Sequence, residues 1–122
     1  MGAGITSGMA ATKVVIVGAG GVGFQLARQL IKENKDVVLI EKDAEVARFV
    51  SNKLDCMVVT GEGNKLETLR RAGADGARYF ISVTDSDEVN MIACGIVSSE
   101  FNVEYKVARV RSVEYAETKI SQ

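Results

Sequence analysis

The stretch Val14-Val15-Ile16-Val17-Gly18-Ala19-Gly20-Gly21-Val22-Gly23 decides the fold of this chain. Its first four residues form an uninterrupted β-branched run, which is typical of a strand buried on both faces. The glycines that follow predict a tight turn. Beyond the turn, apolar residues recur at the spacing of an amphipathic helix, at Val22, Leu26, Ala27, Leu30 and Ile31. Strand, glycine-rich turn and helix in direct succession predict the first unit of a parallel sheet.

The same alternation continues along the chain. Further strands are predicted at residues 37–40, 56–59, 79–83 and 103–110. Helices are predicted after the capping residue Asp43, over 66–72, over 86–99 and from Ser112 onward, while Asn34 and Gly73 are expected to end the helices that precede them. Short connections between these elements predict an α/β fold. We expect a Rossmann-like, doubly wound parallel sheet of about five strands, in the order 3-2-1-4-5, with helices on both faces.

Composition limits the classes of function. The chain has 122 residues, of which 47% are hydrophobic and 25% charged, so it is expected to fold as one domain. We place that domain at residues 12–122 and interpret residues 1–11, which are rich in Gly, Ala, Ser and Thr, as a flexible leader or a cloning remnant. The net charge of −1 argues against nucleic acid as a partner. The chain contains no His, which removes the Ser-His and Cys-His catalytic couples and His-ligated zinc.

Two cysteines, Cys56 and Cys94, are too few and too far apart for a disulfide framework or a zinc site. Both lie in apolar surroundings, so we interpret them as buried small hydrophobes of a reducing compartment. The first dozen residues lack the charged and apolar regions of a signal peptide, and a cytoplasmic protein is therefore expected.

The glycine motif has the spacing of a dinucleotide-binding turn. Gly18 suits the tight turn, Gly20 a close approach to pyrophosphate, and Gly23 close packing of helix and strand. The N-terminus of the helix would offer unpaired N–H groups to phosphates. Glu41 ends the next strand, where it could bind both ribose hydroxyls and repel a 2′-phosphate, favouring NAD or plain adenine nucleotides over NADP. The alternative is a purely structural turn with an incidental surface glutamate.

Two later loops should meet the same edge of the sheet. Gly61-Glu62-Gly63-Asn64 either lies beside the adenine or only makes a turn in which Asn64 caps the next helix. In the segment 84–90, Asp85 and Glu88 are expected to form a capping box, while Thr84 and Asn90 could point toward a ligand. The acidic side chains there could also hold a divalent cation bridging nucleotide phosphates.

Arg109 and Arg111 stand two residues apart at the end of the last predicted strand and therefore share one face. Two guanidinium groups at that edge could reach a terminal phosphate, although solvated charges at a strand end would look the same.

Taken in order, these motifs resemble the nucleotide-binding N-terminal domain of Trk-type potassium-uptake regulators, the KTN or RCK domain. The resemblance covers residues 12–115 and includes two further elements, Leu69-Arg70-Arg71-Ala72-Gly73-Ala74 and Ala108-Arg109-Val110-Arg111. It departs from the family at Gly21, where Arg is frequent, and at Glu62, where Asp is usual.

The resemblance implies a cytosolic, non-catalytic gating domain that binds NAD(H) or ATP/ADP. Such domains form dimers and higher rings on a membrane-embedded potassium transporter or channel, which would hold this one at the inner face of the membrane. The residues implied in nucleotide binding are Gly18, Gly20, Gly21, Val22, Gly23, Glu41, Lys42, Gly61, Glu62, Thr84, Asp85, Glu88 and Arg109. Among them Gly18, Gly20, Gly23 and Arg109 would hold phosphates, Glu41 the ribose, Glu62 the adenine side and Thr84 the crevice. No catalytic residue or metal ligand is assigned.

Two other functions remain open at this point. A regulatory domain of another cation carrier, such as a Kef-like antiporter, would share every motif. A cofactor-binding fragment of an NAD-dependent oxidoreductase is disfavoured because the chain has no His, the commonest general base. The nearly charge-free helix over residues 89–99 could bury one face against a partner subunit, or could be buried only within the domain.

Overall fold

A computed structural model describes residues 11–112 and confirms the predicted architecture. Five parallel strands form one sheet in the order β3-β2-β1-β4-β5. The strands are β1 (Lys13–Val17), β2 (Asp36–Glu41), β3 (Met57–Thr60), β4 (Tyr79–Ser82) and β5 (Tyr105–Ala108). The helices are α1 (Gly21–Lys32), α2 (Ala44–Lys53), α3 (Leu66–Arg71) and α4 (Asp87–Glu100), with a 3-10 turn at Ala74–Gly76.

The central strand β1 divides the core into two halves. Its residues point alternately to opposite faces of the sheet, so Val14 and Ile16 join one apolar cluster while Val15 and Val17 join the other. The first cluster contains residues of α1 and α2, and the second contains residues of α3 and α4. Helices therefore cover both faces, as the uninterrupted β-branched run predicts.

Helix ends follow local chemistry at several predicted positions. The side chain of Asp43 accepts hydrogen bonds from the backbone N–H groups of Glu45 and Val46 and so caps α2. Asn34 and Gly73 both have positive φ, 65° and 70°, which is the left-handed conformation expected after a helix. These three predictions are confirmed.

The fifth strand is shorter than the predicted span of residues 103–110. Its four residues pair with the four residues of β4, from Tyr79 opposite Tyr105 to Ser82 opposite Ala108. The pairing stops where β4 turns into its loop, because β4 is the neighbour that pairs with β5. The predicted final helix after Ser112 and residues 1–10 of the predicted leader lie outside the described residues.

Both cysteines are partly buried, which agrees with their interpretation as small apolar residues. Burial raises the pKa of the Cys56 thiol and raises that of Cys94 to about 11. Over the described residues, no helix has both the length and the apolar character that crossing a membrane requires.

Gly63 is a point of close packing between the β3–α3 loop and the central strand. A Cβ at this position would overlap with the Cγ1 atom of Val17, which is buried in the core. The absence of a side chain at Gly63 is therefore what allows the loop to lie on β1.

We expect Gly63→Ala to lower the free energy of unfolding by about 1–3 kcal/mol, because the added methyl group overpacks the core at Val17. The matched control is Gly95→Ala, on the exposed surface of α4, where an added Cβ meets nothing within 4 Å. That control should raise stability by about 0.5–1 kcal/mol, since alanine is the better helix former. Urea unfolding measures both; equal effects of the two variants would contradict the packing argument.

Candidate nucleotide-binding site

A cavity of about 430 Å³ opens at the carboxyl edge of the sheet. It lies where strand order reverses, between the loops that follow β1, β2, β3 and β4, and the end of β5 closes it. Small-molecule sites of open α/β sheets form at this position, and their volumes are about 300–1,000 Å³. Ten of the thirteen residues named from the sequence line it: Gly18, Gly20, Gly21, Glu41, Lys42, Gly61, Glu62, Thr84, Asp85 and Arg109.

Three of the thirteen do not line the cavity. Val22 lies in the first turn of α1 and is 48% exposed, and Glu88 projects from α4 outside the lining. Gly23 is buried beneath the turn. Gly63, from the loop that could lie beside the adenine, also lines the cavity. Sequence reasoning missed a further set of lining residues, which are Val17, Ile40, Asp43, Val46, Val83, Ser86 and Val89. Three of them are apolar residues at or next to strand ends, Val17, Ile40 and Val83, where the apolar pattern indicates only burial.

The glycine turn places a free helix end at the cavity. Gly18 has a φ of 100°, which side chains rarely tolerate, and a Cβ at Gly23 would collide with the carbonyl oxygen of Gly18. Gly20 lines the cavity, and a Cβ there would meet no atom of the described residues within 4 Å. Since no side chain among residues 11–112 caps α1 and its first turn carries no acidic residue, its N–H groups and positive dipole end are available to an anion.

Glu41 joins two loops of the cavity. Its Oε1 accepts a hydrogen bond from the N–H of Ala19 at 2.8 Å, and its Oε2 accepts one from the N–H of Asp43 at 3.0 Å. The carboxylate is thus held in place between the glycine turn and the β2–α2 loop. Each oxygen retains a further lone pair, so both can still accept from ribose hydroxyls.

The β3–α3 loop does not use Asn64 as a helix cap, which was one of the two alternatives for this loop. Lys65, and not Asn64, is the residue at the start of α3, and no side chain caps that helix. The prediction that Asn64 caps the helix is therefore wrong. Its Oδ1 is buried and has no hydrogen-bond partner among the described residues. The physical reason is that the backbone is still extended at Lys65, with φ −124° and ψ 127°, so the helix begins one residue too late for Asn64 to cap it.

The predicted capping box of Asp85 and Glu88 is also wrong by one residue. Ser86 is the cap of α4, and its Oγ accepts a hydrogen bond from the N–H of Val89 at 3.1 Å. The N–H of Ser86 donates to Oγ1 of Thr84, which bends the chain one residue further before the helix starts. Asp85 remains at the cavity.

Asp87 connects the start of α4 to the segment that follows β5. Its two carboxylate oxygens accept hydrogen bonds from the N–H groups of Arg111 and Ser112, at 3.0 and 2.7 Å. These bonds stabilise the charged form and lower the pKa of Asp87 below its ordinary value.

Asn90 does not point toward the cavity. Its side chain is 0% exposed, and both its amide atoms bind protein groups within the domain. The prediction that Asn90 could point toward a ligand is therefore wrong, because its side chain is buried inside the domain. Thr84, by contrast, does line the cavity.

The two arginines at the end of β5 have separate surroundings. Arg109 lines the cavity, with its Nη1 3.5 Å from the carbonyl oxygen of Val83. Arg111 lies outside the lining and donates from Nη2 to the carbonyl oxygen of Asp85. Only Arg109 of this pair is therefore placed to meet a ligand in the cavity.

The acidic loop lacks the arrangement of a metal site. Across residues 11–112, no three or more His, Cys, Asp or Glu side chains come together in a group that could hold a metal ion. The carboxylates of Asp85 and Asp87 are used instead by Arg111 and by backbone N–H groups.

Comparison with known proteins agrees with this geometry. Over 107 residues the chain is 40% identical to the Trk system potassium uptake protein TrkA of Vibrio alginolyticus. That alignment covers 88% of this chain and 23% of the relative, so the chain spans less than a quarter of the relative's length.

Two solved structures share the fold. The GsuK channel bound to NAD superposes with a TM-score of 0.76 at 22% identity, covering 90% of this chain and 20% of that one. The Kef CTD of Shewanella denitrificans in its AMP-bound form gives a TM-score of 0.74 at 18% identity, covering 89% of this chain and 65% of that one.

The family match itself extends over nearly all of the described structure. Residues 14–120 match the TrkA-N domain, a span that includes every strand except the first residue of β1 and all four loops of the cavity. The chain belongs to the TrkA-N domain family.

Proposed function

We propose that this chain is a non-enzymatic, nucleotide-binding regulatory domain of a potassium-transport system. The single observation that carries the proposal is the cavity at the strand-order reversal, which combines an uncapped helix end, a fixed carboxylate and an arginine. An adenine nucleotide has matching groups in the same order: phosphates for the helix end and Arg109, and ribose hydroxyls for Glu41.

The ligand in this proposal is NAD(H) or ATP/ADP. The GsuK channel bound to NAD and the Kef CTD bound to AMP support an adenine nucleotide, because both share this fold. A divalent cation is not part of the proposal. The partner is a membrane-embedded potassium transporter or channel, as the relationship to Trk potassium uptake proteins supports, and the domain acts at the cytoplasmic face of the membrane.

Regulation requires that the ligand bind one conformational state more tightly than another. In a homo-oligomer, a dimer or a higher ring, that difference would be expressed at the contacts between subunits. The outer surface of α4 supports such contacts, since Ile92 is 48% exposed while Ala93 and Val97 of the same helix are buried. The second candidate, a regulatory domain of a Kef-like antiporter, is favoured by the likeness to the Kef CTD.

A panel of nucleotides tests the proposal directly. We expect AMP, ADP, ATP and NADH each to raise the melting temperature, because a ligand at 100 times its Kd adds about 2.7 kcal/mol to the stability of the folded state. NADPH should raise it less. The measurement is differential scanning fluorimetry at equal ligand concentrations. The absence of a shift with all five would contradict nucleotide binding.

Glu41→Gln should reduce the preference for NADH over NADPH. The glutamine keeps an acceptor oxygen for one backbone N–H but removes the charge that repels a 2′-phosphate. Isothermal titration calorimetry with both cofactors gives the ratio of the two Kd values. Glu45→Gln is the matched control, because Glu45 is an exposed acid of α2 outside the cavity lining and its variant should leave the ratio unchanged. An unchanged ratio in Glu41→Gln would exclude this role for the carboxylate.

Arg109→Ala should weaken the binding of ADP by about tenfold or more, since a guanidinium–phosphate contact is a strong charge-assisted interaction. Adenosine, which has no phosphate, should lose far less. Arg111→Ala serves as the control because it removes the same charge two residues away, outside the cavity lining. Calorimetry that showed equal losses for ADP and adenosine would assign Arg109 a role unrelated to phosphate.

A further inference from the structure

The amide of Asn90 lies at the junction of two walls of the cavity. The residue belongs to α4, and its side chain is 0% exposed. It stands beneath the β4–α4 loop, which carries Thr84, and beside the end of β5, which carries Arg109. Both of these residues line the cavity, whereas Asn90 does not.

The two ends of the amide have different partners. Oδ1 accepts hydrogen bonds from Oγ of Ser82 at 2.9 Å, from the N–H of Thr84 at 2.9 Å and from Oγ1 of Thr84 at 2.7 Å. Nδ2 donates to the carbonyl oxygen of Thr84 at 3.1 Å and to that of Arg109 at 2.9 Å.

This set of partners requires an amide. Two carbonyl oxygens need a donor, and an N–H with two hydroxyls needs an acceptor, all within the reach of one side chain. A carboxylate supplies only the acceptor and an aliphatic side chain supplies neither. The bond to Arg109 spans 19 residues of sequence and connects the end of β5 to α4. The bonds to Thr84 connect the same side chain to the loop after β4.

Thr84, whose backbone and side chain Asn90 binds, also contacts the glycine turn. The backbone N of Thr84 lies 3.1 Å from the position that a Cβ of Gly18 would occupy, so the backbone of Thr84 packs directly on that turn. A shift of Thr84 would therefore change the space in front of Gly18, while a shift of the Arg109 backbone would move its guanidinium.

We propose that Asn90 is a positioning residue of the nucleotide site. Its amide holds Thr84 and Arg109 at the separation that the phosphate side of the ligand needs, without touching the ligand. This inference rests on the proposed function, because it assigns a role within the site that is proposed to bind the nucleotide. A residue that served the fold alone would affect stability but would not be coupled to Arg109 in ligand binding.

The test is a double-mutant cycle on ADP affinity, measured by calorimetry with Asn90→Ala, Arg109→Ala and the double variant. We expect Asn90→Ala to weaken ADP binding at least tenfold, because the carbonyl oxygen of Arg109 loses its hydrogen bond to Asn90. Among the described residues, only the bonds of Arg109 to Ser82 and Val83 then remain. The double variant should bind ADP hardly more weakly than either single variant, since the guanidinium is already misplaced when Asn90 is absent.

Val97→Ala is the matched control. Val97 is also fully buried on α4, two turns beyond Asn90, and does not line the cavity. Its variant should lower the melting temperature but change ADP affinity by less than threefold. When Val97→Ala is combined with Arg109→Ala, the loss of ADP affinity in the double variant should equal the product of the two single losses, as expected for distant sites.

The outcomes separate the two proposals. If the unaltered protein binds no nucleotide, the proposed function fails and this inference fails with it. If the unaltered protein binds ADP, two results overturn only the positioning role. One is that the losses in ADP affinity from Asn90→Ala and Arg109→Ala multiply in the double variant. The other is that Asn90→Ala binds ADP as tightly as the unaltered protein. Should Asn90→Ala show no cooperative melting, Asn90→Asp takes its place in the cycle. That variant keeps the size and the acceptor oxygen but loses the donor to Arg109, and the same non-multiplicative loss is expected.

Discussion

The close approach of Gly23 to the carbonyl oxygen of Gly18 is the constraint on which the site depends. Because Gly23 has no Cβ, α1 can begin directly above the end of β1. This position brings the N–H of Ala19 within 2.8 Å of Glu41, and the N–H of Gly18 within 2.8 Å of the carbonyl oxygen of Ile40. These two hydrogen bonds connect the turn after β1 to the end of β2, and the uncapped N-terminus of α1 lies next to them.

The opposite wall of the cavity follows from the strand order. β1 has β2 on one side and β4 on the other, and the helices that follow β1 and β4 pack on opposite faces of the sheet. The loops diverge at this point and leave a crevice between them. The wall formed by the glycine turn and Glu41 is held largely by backbone groups. The wall formed by the β4–α4 loop and the end of β5 is held by the side chains of Asn90 and Asp87.

The sequence predicted the fold and much of the cavity because both are encoded locally. Uninterrupted β-branched runs such as Val14 to Val17 mark buried strands, and glycine spacing marks the turn. The parts that were missed depend on contacts between distant residues. Gly63 packs on Val17, and Asn90 binds the carbonyl oxygen of Arg109, and neither distance can be read from spacing. The cap at Ser86 was missed for a smaller reason: a hydrogen bond to Oγ1 of Thr84 delays the helix by one residue.

The difference between the two walls has a consequence for regulation. In the proposed site, Glu41 and the glycine turn would contact the nucleotide from positions that the sheet fixes, so binding there would mainly supply affinity and selectivity. Arg109 instead lies at the start of the segment that follows β5. Two later residues of that segment, Arg111 and Ser112, donate backbone hydrogen bonds to Asp87 at the start of α4. In the proposed function, a phosphate that drew Arg109 inward would therefore act on this same short segment after β5. β5 is an edge strand paired only with β4 among the described strands, so it resists such a displacement less than β1 or β2 would. In the proposed regulatory role, the side of the cavity formed by Thr84, Asn90 and Arg109 is the one that converts nucleotide binding into a change outside the site.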